Sequence, residues 1–488
     1  MLKFNRATLR DKIYACWMGK NIGGTIGGPF EGQTKINDCA GFSTKPGEVL
    51  PNDDLDLQLI WLKAMEERGP DGVNAQVLGE YWLSYIGPHW NEYGVCKSNL
   101  HAGLPAPLSG EYNNLTWKHS NGAWIRTEIW ASLYPGYVEK AIEYAFADAC
   151  VDHGFGEGSY AAIFVAALES AAFIFSDIET LLKIGLSKIP EDCRVARSVN
   201  LVIDAYHSGK TWQETRELVV EDSKDLGWFQ APGNLGFVVL GLLYGEGDFK
   251  TSILRAVNCG DDTDCTAATV GSILGIVGGT ACLPADWIEH LGDTINQACL
   301  LNGHGTYPKT IGELTDAVMN MHPVTMFVPF NKFDYHEFYC NVAVHDGEDD
   351  FEGLKPEDFY GRRFVKRNFG RADYCVMAQA TFIEAKIEMP DGLDITENGT
   401  LKVKVTGKLR GELGHQHCTV NWYLPDGWTV SGKKDIHMHR WDQNKEPCNV
   451  SEFVITAGEK ISGMNHVVVE IQQVGRSESA FAAFNIMG

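Results

Sequence analysis

Apolar residues return at helical spacing through most of the first three hundred or so positions. In residues 11–20, Ile13, Cys16 and Trp17 fall on neighbouring turns, and after position 52 Leu57, Ile60, Trp61, Ala64 and Met65 repeat the pattern;. Residues 160–175 and 235–243 are apolar almost throughout and read as buried helices, residues 211–214 form a Thr-Trp-Gln-Glu capping box, and residues 311–321 read as the last helix of this part;. Only residues 85–118 lose the period. They are rich in Gly, Pro, His and aromatics, which predicts a long irregular loop whose rings, Trp90, Tyr93 and Trp117 among them, either stack on a base or sugar or tuck the loop down;. Near position 323 the period changes to two, as in residues 400–406 and 467–471, with turns at Asp391-Gly392 and Asp426-Gly427;. The change predicts a multidomain chain, an all-α domain over residues 1–325, a linker over 326–354 and a small β-sandwich over 355–488.

Composition narrows the function classes. At 488 residues the chain is longer than one core comfortably serves, and 44% apolar with 22% charged residues is ordinary for a folded protein;. The net charge of −23 argues against a nucleic-acid partner, because phosphate binding draws on a Lys/Arg surplus;. No apolar leader and no charge-free membrane-length run is evident, so neither secretion nor a membrane is expected;. Thirteen scattered cysteines without a CxxC pair read as reduced, packed thiols, which fits a cytoplasmic location;.

Against that background the stretch Cys259-Gly260-Asp261-Asp262-Thr263-Asp264-Cys265-Thr266 stands out. Three carboxylates in four positions repel one another, and a hard cation bound by oxygens is the usual relief; an acidic helix cap is the plainer reading;. A second acidic helix start, Asn52-Asp53-Asp54-Leu55-Asp56, raises the odds of a shared site, since helix N-termini in a bundle can converge;. The glycine-rich run over residues 19–32 suggests close backbone approach, to another helix or to a ligand, and ends in the carboxylate Glu31;. Further candidates are the turn Ser120-Asn121-Gly122, Arg126 as a phosphate or carboxylate partner or an ion pair with Glu128, and Asp152-His153-Gly154 before a helix. Two His-x-His pairs, His415/His417 and His437/His439, would each share a strand face; a second metal site there is weighed against a plain accessory or oligomer-forming domain;.

Taken in order, Gly27-Gly28-Pro29-Phe30-Glu31, Asn52-Asp53-Asp54, Asn121-Gly122 with Arg126, Asp152-His153-Gly154 and Gly260-Asp261-Asp262-Thr263-Asp264 resemble the ADP-ribosylglycohydrolase family over roughly residues 10–320. The resemblance implies an ADP-ribosylglycohydrolase-like all-α domain that holds two Mg2+ or Mn2+ ions and hydrolyses an N- or O-glycosidic bond at the anomeric carbon of an ADP-ribosyl group. It implies Asn52, Asp53, Asp54, Asp262, Asp264 and Cys265 as the metal-site positions and Glu31, Asp54 and Asp262 as the catalytic ones. Asn121, Gly122, Arg126, His153 and Gly154 would line the substrate cleft. Four departures set this chain apart, and the first three weaken the second ion. Asn52 and Leu55 replace threonines, Cys265 replaces another, and Asp261 stands where glycine is usual; a neutral thiol is a poor Mg2+ ligand, which makes Asp56 a substitute oxygen donor;. Two alternatives stay open, a glycoside hydrolase acting on another ribosyl or furanosyl compound and a non-catalytic nucleotide-sugar-binding or structural relative. A homo-oligomer is left open as well.

Overall fold

The glycines that interrupt the first helical pattern continue it. Arg6–Gly27 is one helix, and Gly19, Gly23 and Gly27 line a single face four residues apart. That face meets the Thr263–Gly278 helix running the opposite way. A Cβ on Gly19 would stand 2.1 Å from the Gly271 carbonyl oxygen, one on Gly23 2.2 Å from that of Ala267, and one on Gly27 2.2 Å from that of Thr263. The two backbones therefore touch, and the close approach foreseen for the glycine run is to another helix. Its consequence is positional. The C-terminal end of the first helix, which leads to Glu31, lies against the N-terminus of the second, which starts at Asp262 and Thr263.

The structure, a computed structural model, describes residues 2–301, 306–326, 342–361, 364, 374–409, 415–438 and 449–488. Within them sixteen α-helices run from Arg6 to Thr325 around a core that fully buries Trp17, Trp61, Trp82, Trp124 and Trp130. The Asp53–Arg68 helix opens on Asn52, whose Oδ1 accepts from the Asp54 N–H at 2.8 Å, and closes on Gly69 at a φ of 68°;. The capping box at Thr211 and Glu214 forms as its spacing predicts. Residues 85–118 differ from expectation. Instead of one irregular loop they carry the Asn91–His101 and Leu108–Glu111 helices, and Tyr93 and Cys96 are buried. Gly94 hides the period because its Cβ would lie 2.6 Å from the His89 carbonyl oxygen. Thr263–Cys282 is long and apolar enough to cross a membrane, against the sequence reading, and 72% of its apolar window is buried inside the protein.

Helix Ile311–Thr325 packs on Glu128–Leu133, and there His322 is 3% exposed with its Nε2–H donating to the Ser132 carbonyl oxygen at 2.8 Å. Burial pushes its pKa down from 6.5 to about 4. The unfolded chain thus binds the extra proton first, so this contribution to stability is complete above pH 6.5 and is lost as pH falls toward 4. The full loss is about 3 kcal/mol. Urea unfolding of the wild type and His322→Gln at pH 7 and pH 4.5 should show the wild type losing more stability on acidification; parallel losses would refute the assignment.

Strand β1 (Leu2–Asn5) pairs in parallel with β2 (Val342–His345), and Phe359 and Phe364 bury in the helical core. The described residues of 342–364 therefore belong to the helical body, and sandwich strands begin at Cys375, whereas the sequence reading put the β-region from 355. Two antiparallel sheets follow. One has the order β3 (Cys375–Gln379), β4 (Ile383–Glu388), β5 (Thr400–Leu409), β9 (Val450–Thr456), β7 (Thr429–Gly432); the other runs β11 (Ser479–Met487), β10 (Met464–Gln473), β6 (Gln416–Tyr423), β8 (Asp435–Met438). Alternate residues such as Val403, Val405, Val469 and Phe484 fill the space between them;. The sandwich sits on the helical body through Leu104 and Leu108, which bury in its core, and through Asn485, whose Nδ2 donates to the Ala102 carbonyl at 2.8 Å. Among the described residues the eleven cysteines form no disulfide with one another, and all but Cys282 are buried.

Candidate metal centre

Two loops are laced together before any side chain is considered. The Gly32 N–H donates to the Asp261 carbonyl and the Asp261 N–H to the Gln33 carbonyl, both at 2.9 Å, which holds Glu31 over the start of the Thr263–Gly278 helix. Gly260 makes this possible: its φ is 82°, and a Cβ there would lie 2.4 Å from the carbonyl oxygens of both Gln33 and Lys35. Asp261 itself sits at a φ of 69°, in the left-handed region that glycine favours and aspartate tolerates;. Its Oδ1 accepts from the Phe229 N–H at 2.8 Å, so it keeps the glycine-like turn, adds a tie to the neighbouring loop, and points away from the acidic cluster.

Beneath this lacing the two acidic helix starts converge. Ligand atoms of Glu31, Asp262 and Asp264 lie within 4.8 Å of one another, as do those of Asp54, Asp264 and Cys265, so Asp264 is common to both sets. Asp262 occupies the N-cap position but makes no capping hydrogen bond, which removes the plainer reading of an acidic cap. Instead its Oδ2 accepts from Asn121 Nδ2 at 2.8 Å, and its Oδ1 is buried without a partner. Asp54 Oδ2 and Asp264 Oδ1 are likewise buried without a hydrogen bond. A buried carboxylate oxygen left unpaired is costly, and several aimed at one point call for a cation.

The electrostatics agree. Burial, then the charges of Asp264 and Asp53, raise Glu31 to about 7. Burial and Asp264 raise Asp53 and push Asp262 well above the carboxylate range; Asp54 is driven up by burial despite Lys20. Lys20 is fully buried, donates to Glu128 Oε1 at 2.7 Å and stands 3.7 Å from Asp54 Oδ2, an ion-pair distance too long for a hydrogen bond. One ammonium cannot balance five carboxylates, and a bound cation would supply the missing charge. The donor set is carboxylate oxygen, which suits a hard cation.

The other predicted positions divide. Asn121 is fully buried, bridging Asp262 and the indole N–H of Trp124, which donates to its Oδ1 at 3.1 Å; it orients a carboxylate and lines no cleft. Gly122 leaves room for Glu92, whose Oε1 a Cβ would approach to 2.3 Å. Arg126 is a correction. Fully buried, it pairs with Asp148 at 3.0 Å and Asp152 at 2.8 Å and donates to the Gly122 carbonyl, so neither a phosphate nor Glu128 is its partner. His153 is also fully buried, with Nδ1 2.9 Å from Asp152 and Nε2 3.1 Å from Ser120 Oγ, and Gly154, at a φ of 51°, packs on Glu111. These four build the wall behind Asn121.

Asn52 uses its side-chain carbonyl oxygen to cap the helix at the Asp54 N–H. Cys265, held well above its usual pKa by burial, is a neutral thiol that donates to Asp54 Oδ1 at 3.3 Å. Asp56 Oδ2 accepts the backbone N–H groups of Ala298 and Cys299 while its Oδ1 is buried without a hydrogen bond, and neither of the two ligand groups includes it. Asp53 stays near the rim, with Oδ2 accepting from the Tyr93 hydroxyl at 2.9 Å.

Lys20, Glu128 and Tyr93 were missed in the sequence. Lys20 carried one signal, a charge on the same helical stripe as Ile13, Cys16 and Trp17; a charge on an apolar stripe demands a buried partner;. Glu128 accepts from Lys20, from Gln58 at 2.8 Å and from Ser272 at 3.0 Å, contacts between distant segments that no spacing announces.

A family model described as ADP-ribosylglycohydrolase matches residues 5–322. Among solved structures, one named "ADP-ribosylglycohydrolase-related protein complex" is 18% identical, with a TM-score of 0.45, covering 65% of this chain and 99% of its own. The GAE domain of GGA2p from Saccharomyces cerevisiae is 11% identical with a TM-score of 0.16, covering 23% of this chain and 96% of its own. No curated protein matches.

Proposed function

The chain belongs to the ADP-ribosylglycohydrolase family, whose chemistry is glycosidic hydrolysis, and from that premise we propose that it cleaves the bond at the anomeric carbon of an ADP-ribosyl group with the help of divalent cations. The observation that carries the metal dependence is the set of buried oxygens without a hydrogen bond on Asp54, Asp262 and Asp264. A bound Mg2+ or Mn2+ would supply Lewis acidity and a water of lowered pKa.

What the chain's own residues contribute can be stated atom by atom. Asp54, Asp262 and Asp264 would hold the cations. Asn121 fixes the rotamer of Asp262, and Lys20 balances Asp54 from behind. Glu31 is the only exposed member of the five carboxylates, which places it to take a proton from attacking water;. Positive charge developing at the anomeric carbon would face Asp53 and Glu31. Cys265, as a neutral donor, takes no part in this oxygen set.

One observation favours the second reading, hydrolysis of another ribosyl or furanosyl compound. Arg126, for which the sequence left a phosphate partner open, is consumed by Asp148 and Asp152. A direct assay separates the two: release of ADP-ribose from an ADP-ribosylated protein against release of ribose from a simple ribosyl glycoside, each with chelator and with Mg2+ or Mn2+ restored. We expect chelator to stop ADP-ribose release and metal to restore it. Turnover of only the simple glycoside would move the assignment to the second reading, and turnover indifferent to chelator would defeat the metal dependence.

A further inference from the structure

We infer that Cys265 gives one of two ion positions a sulfur donor, so that the centre pairs a hard cation with a borderline one such as Zn2+ or Co2+, a reading that rests on the metal centre proposed above and not on which bond it cleaves. Two groups of ligand atoms meet at Asp264, and they differ in kind. Glu31, Asp262 and Asp264 offer oxygen alone, whereas Asp54, Asp264 and Cys265 bring two carboxylates and a thiol within 4.8 Å of one another. The second group lies deeper: Asp54 is 0% and Cys265 3% exposed, while the first group includes the exposed Glu31. Sulfur is a soft donor that favours borderline ions, whereas Mg2+ demands an oxygen shell.

The spacing suits such an ion. At about 2.1 Å from a carboxylate oxygen and about 2.3 Å from a sulfur, with a tetrahedral angle between them, it holds the two donors about 3.6 Å apart. Cys265 Sγ lies 3.3 Å from Asp54 Oδ1. A thiol that merely hydrogen-bonds that oxygen is the plainer account of the contact. It leaves Asp54 Oδ2 and Asp264 Oδ1 buried without a hydrogen bond, with Lys20 Nζ 3.7 Å from the former and beyond hydrogen-bond reach. An ion takes up those oxygens and the sulfur together. As the metal–sulfur bond forms, the thiol proton leaves to solvent, because the thiolate is the ligand. Three protein donors leave a fourth tetrahedral position to water. Among the described residues no imidazole joins a group of this kind; of the two His-x-His pairs of the sandwich, His439 lies outside them.

Cobalt reports the sulfur directly, since Co2+ shows a near-ultraviolet charge-transfer band when a thiolate ligates it and none when oxygens alone do. The whole chain, stripped of metal by chelator and titrated with Co2+ in excess Mg2+, should develop that band, and Zn2+ should then displace it. Cys265→Ser should bind cobalt without the band, and its Zn2+ affinity in equilibrium dialysis should fall at least about tenfold. Serine keeps a donor for Asp54 Oδ1, and thermal unfolding with Mg2+ checks that the variant is folded. Cys299→Ser, which removes a buried thiol outside the group, should keep both the band and the affinity. Cobalt bound without the band in the wild type, or a band of equal strength in Cys265→Ser, would overturn the sulfur ligand and leave metal-dependent hydrolysis standing. A wild type that bound no divalent ion at all would overturn both.

Discussion

Asp262→Asn is expected to lower turnover by more than the ~10- to 100-fold typical of residues that only orient a metal ligand, because here the ligand itself loses its charge. The substitution keeps the shape of the side chain and leaves an oxygen for the Asn121 amide, so the wall behind the site should stand. Its effect on stability should have the opposite sign in the metal-free protein. Asp262 is fully buried with one oxygen unpaired, and burial and Asp264 both oppose its ionisation. Removing that charge should raise the midpoint of thermal unfolding in chelator, while the added stabilisation by Mg2+ shrinks. Thermal unfolding with chelator and with Mg2+, beside turnover, checks both halves. A variant that kept full turnover and the full Mg2+ increment would end the case for Asp262 as a ligand.

Gly23→Ala should damage stability and site together. On propensity alone the change ought to help by about 1 kcal/mol, since glycine is a poor helix former. Here the new Cβ would stand 2.2 Å from the Ala267 carbonyl oxygen, whereas carbon and oxygen normally approach to about 3.3 Å;. The obstacle is backbone inside a helix and cannot rotate aside, so the helices must part by about 1 Å, at a cost of about 1–3 kcal/mol or more. Parting them also shifts Glu31, just beyond the first helix, from Asp262 and Asp264 at the head of the second. We therefore expect a lower urea midpoint and weaker Mg2+ binding in the same variant. A midpoint raised by the propensity increment would show that the helices are not in backbone contact.

Several features were legible before folding because their causes are local. The Asp53–Arg68 and Thr263–Gly278 helices begin where acidic residues meet an apolar period, and β5 and β10 lie where the period is two. The capping box needed only two residues three apart. Residues 85–118 misled because Gly94 and scattered aromatics obscure a helix that owes its burial to packing on its neighbours. Arg126 and His153 misled for a related reason. A polar residue beside a motif looks the same whether it faces a ligand or is held inside the protein, Arg126 by Asp148 and Asp152 on a later helix and His153 by its own neighbour Asp152.

By itself the sequence determined the two periodicities, the acidic helix starts and the glycine stripe, because each depends on residues a few positions apart. Tertiary structure alone decided that the stripe meets Ala267 and Gly271, that Asp54 and Asp264 belong to one cluster, and that Lys20 reaches Glu128. Those pairings join segments a hundred or more residues apart, where the contact is chosen by the packing of whole helices and leaves no trace in local spacing.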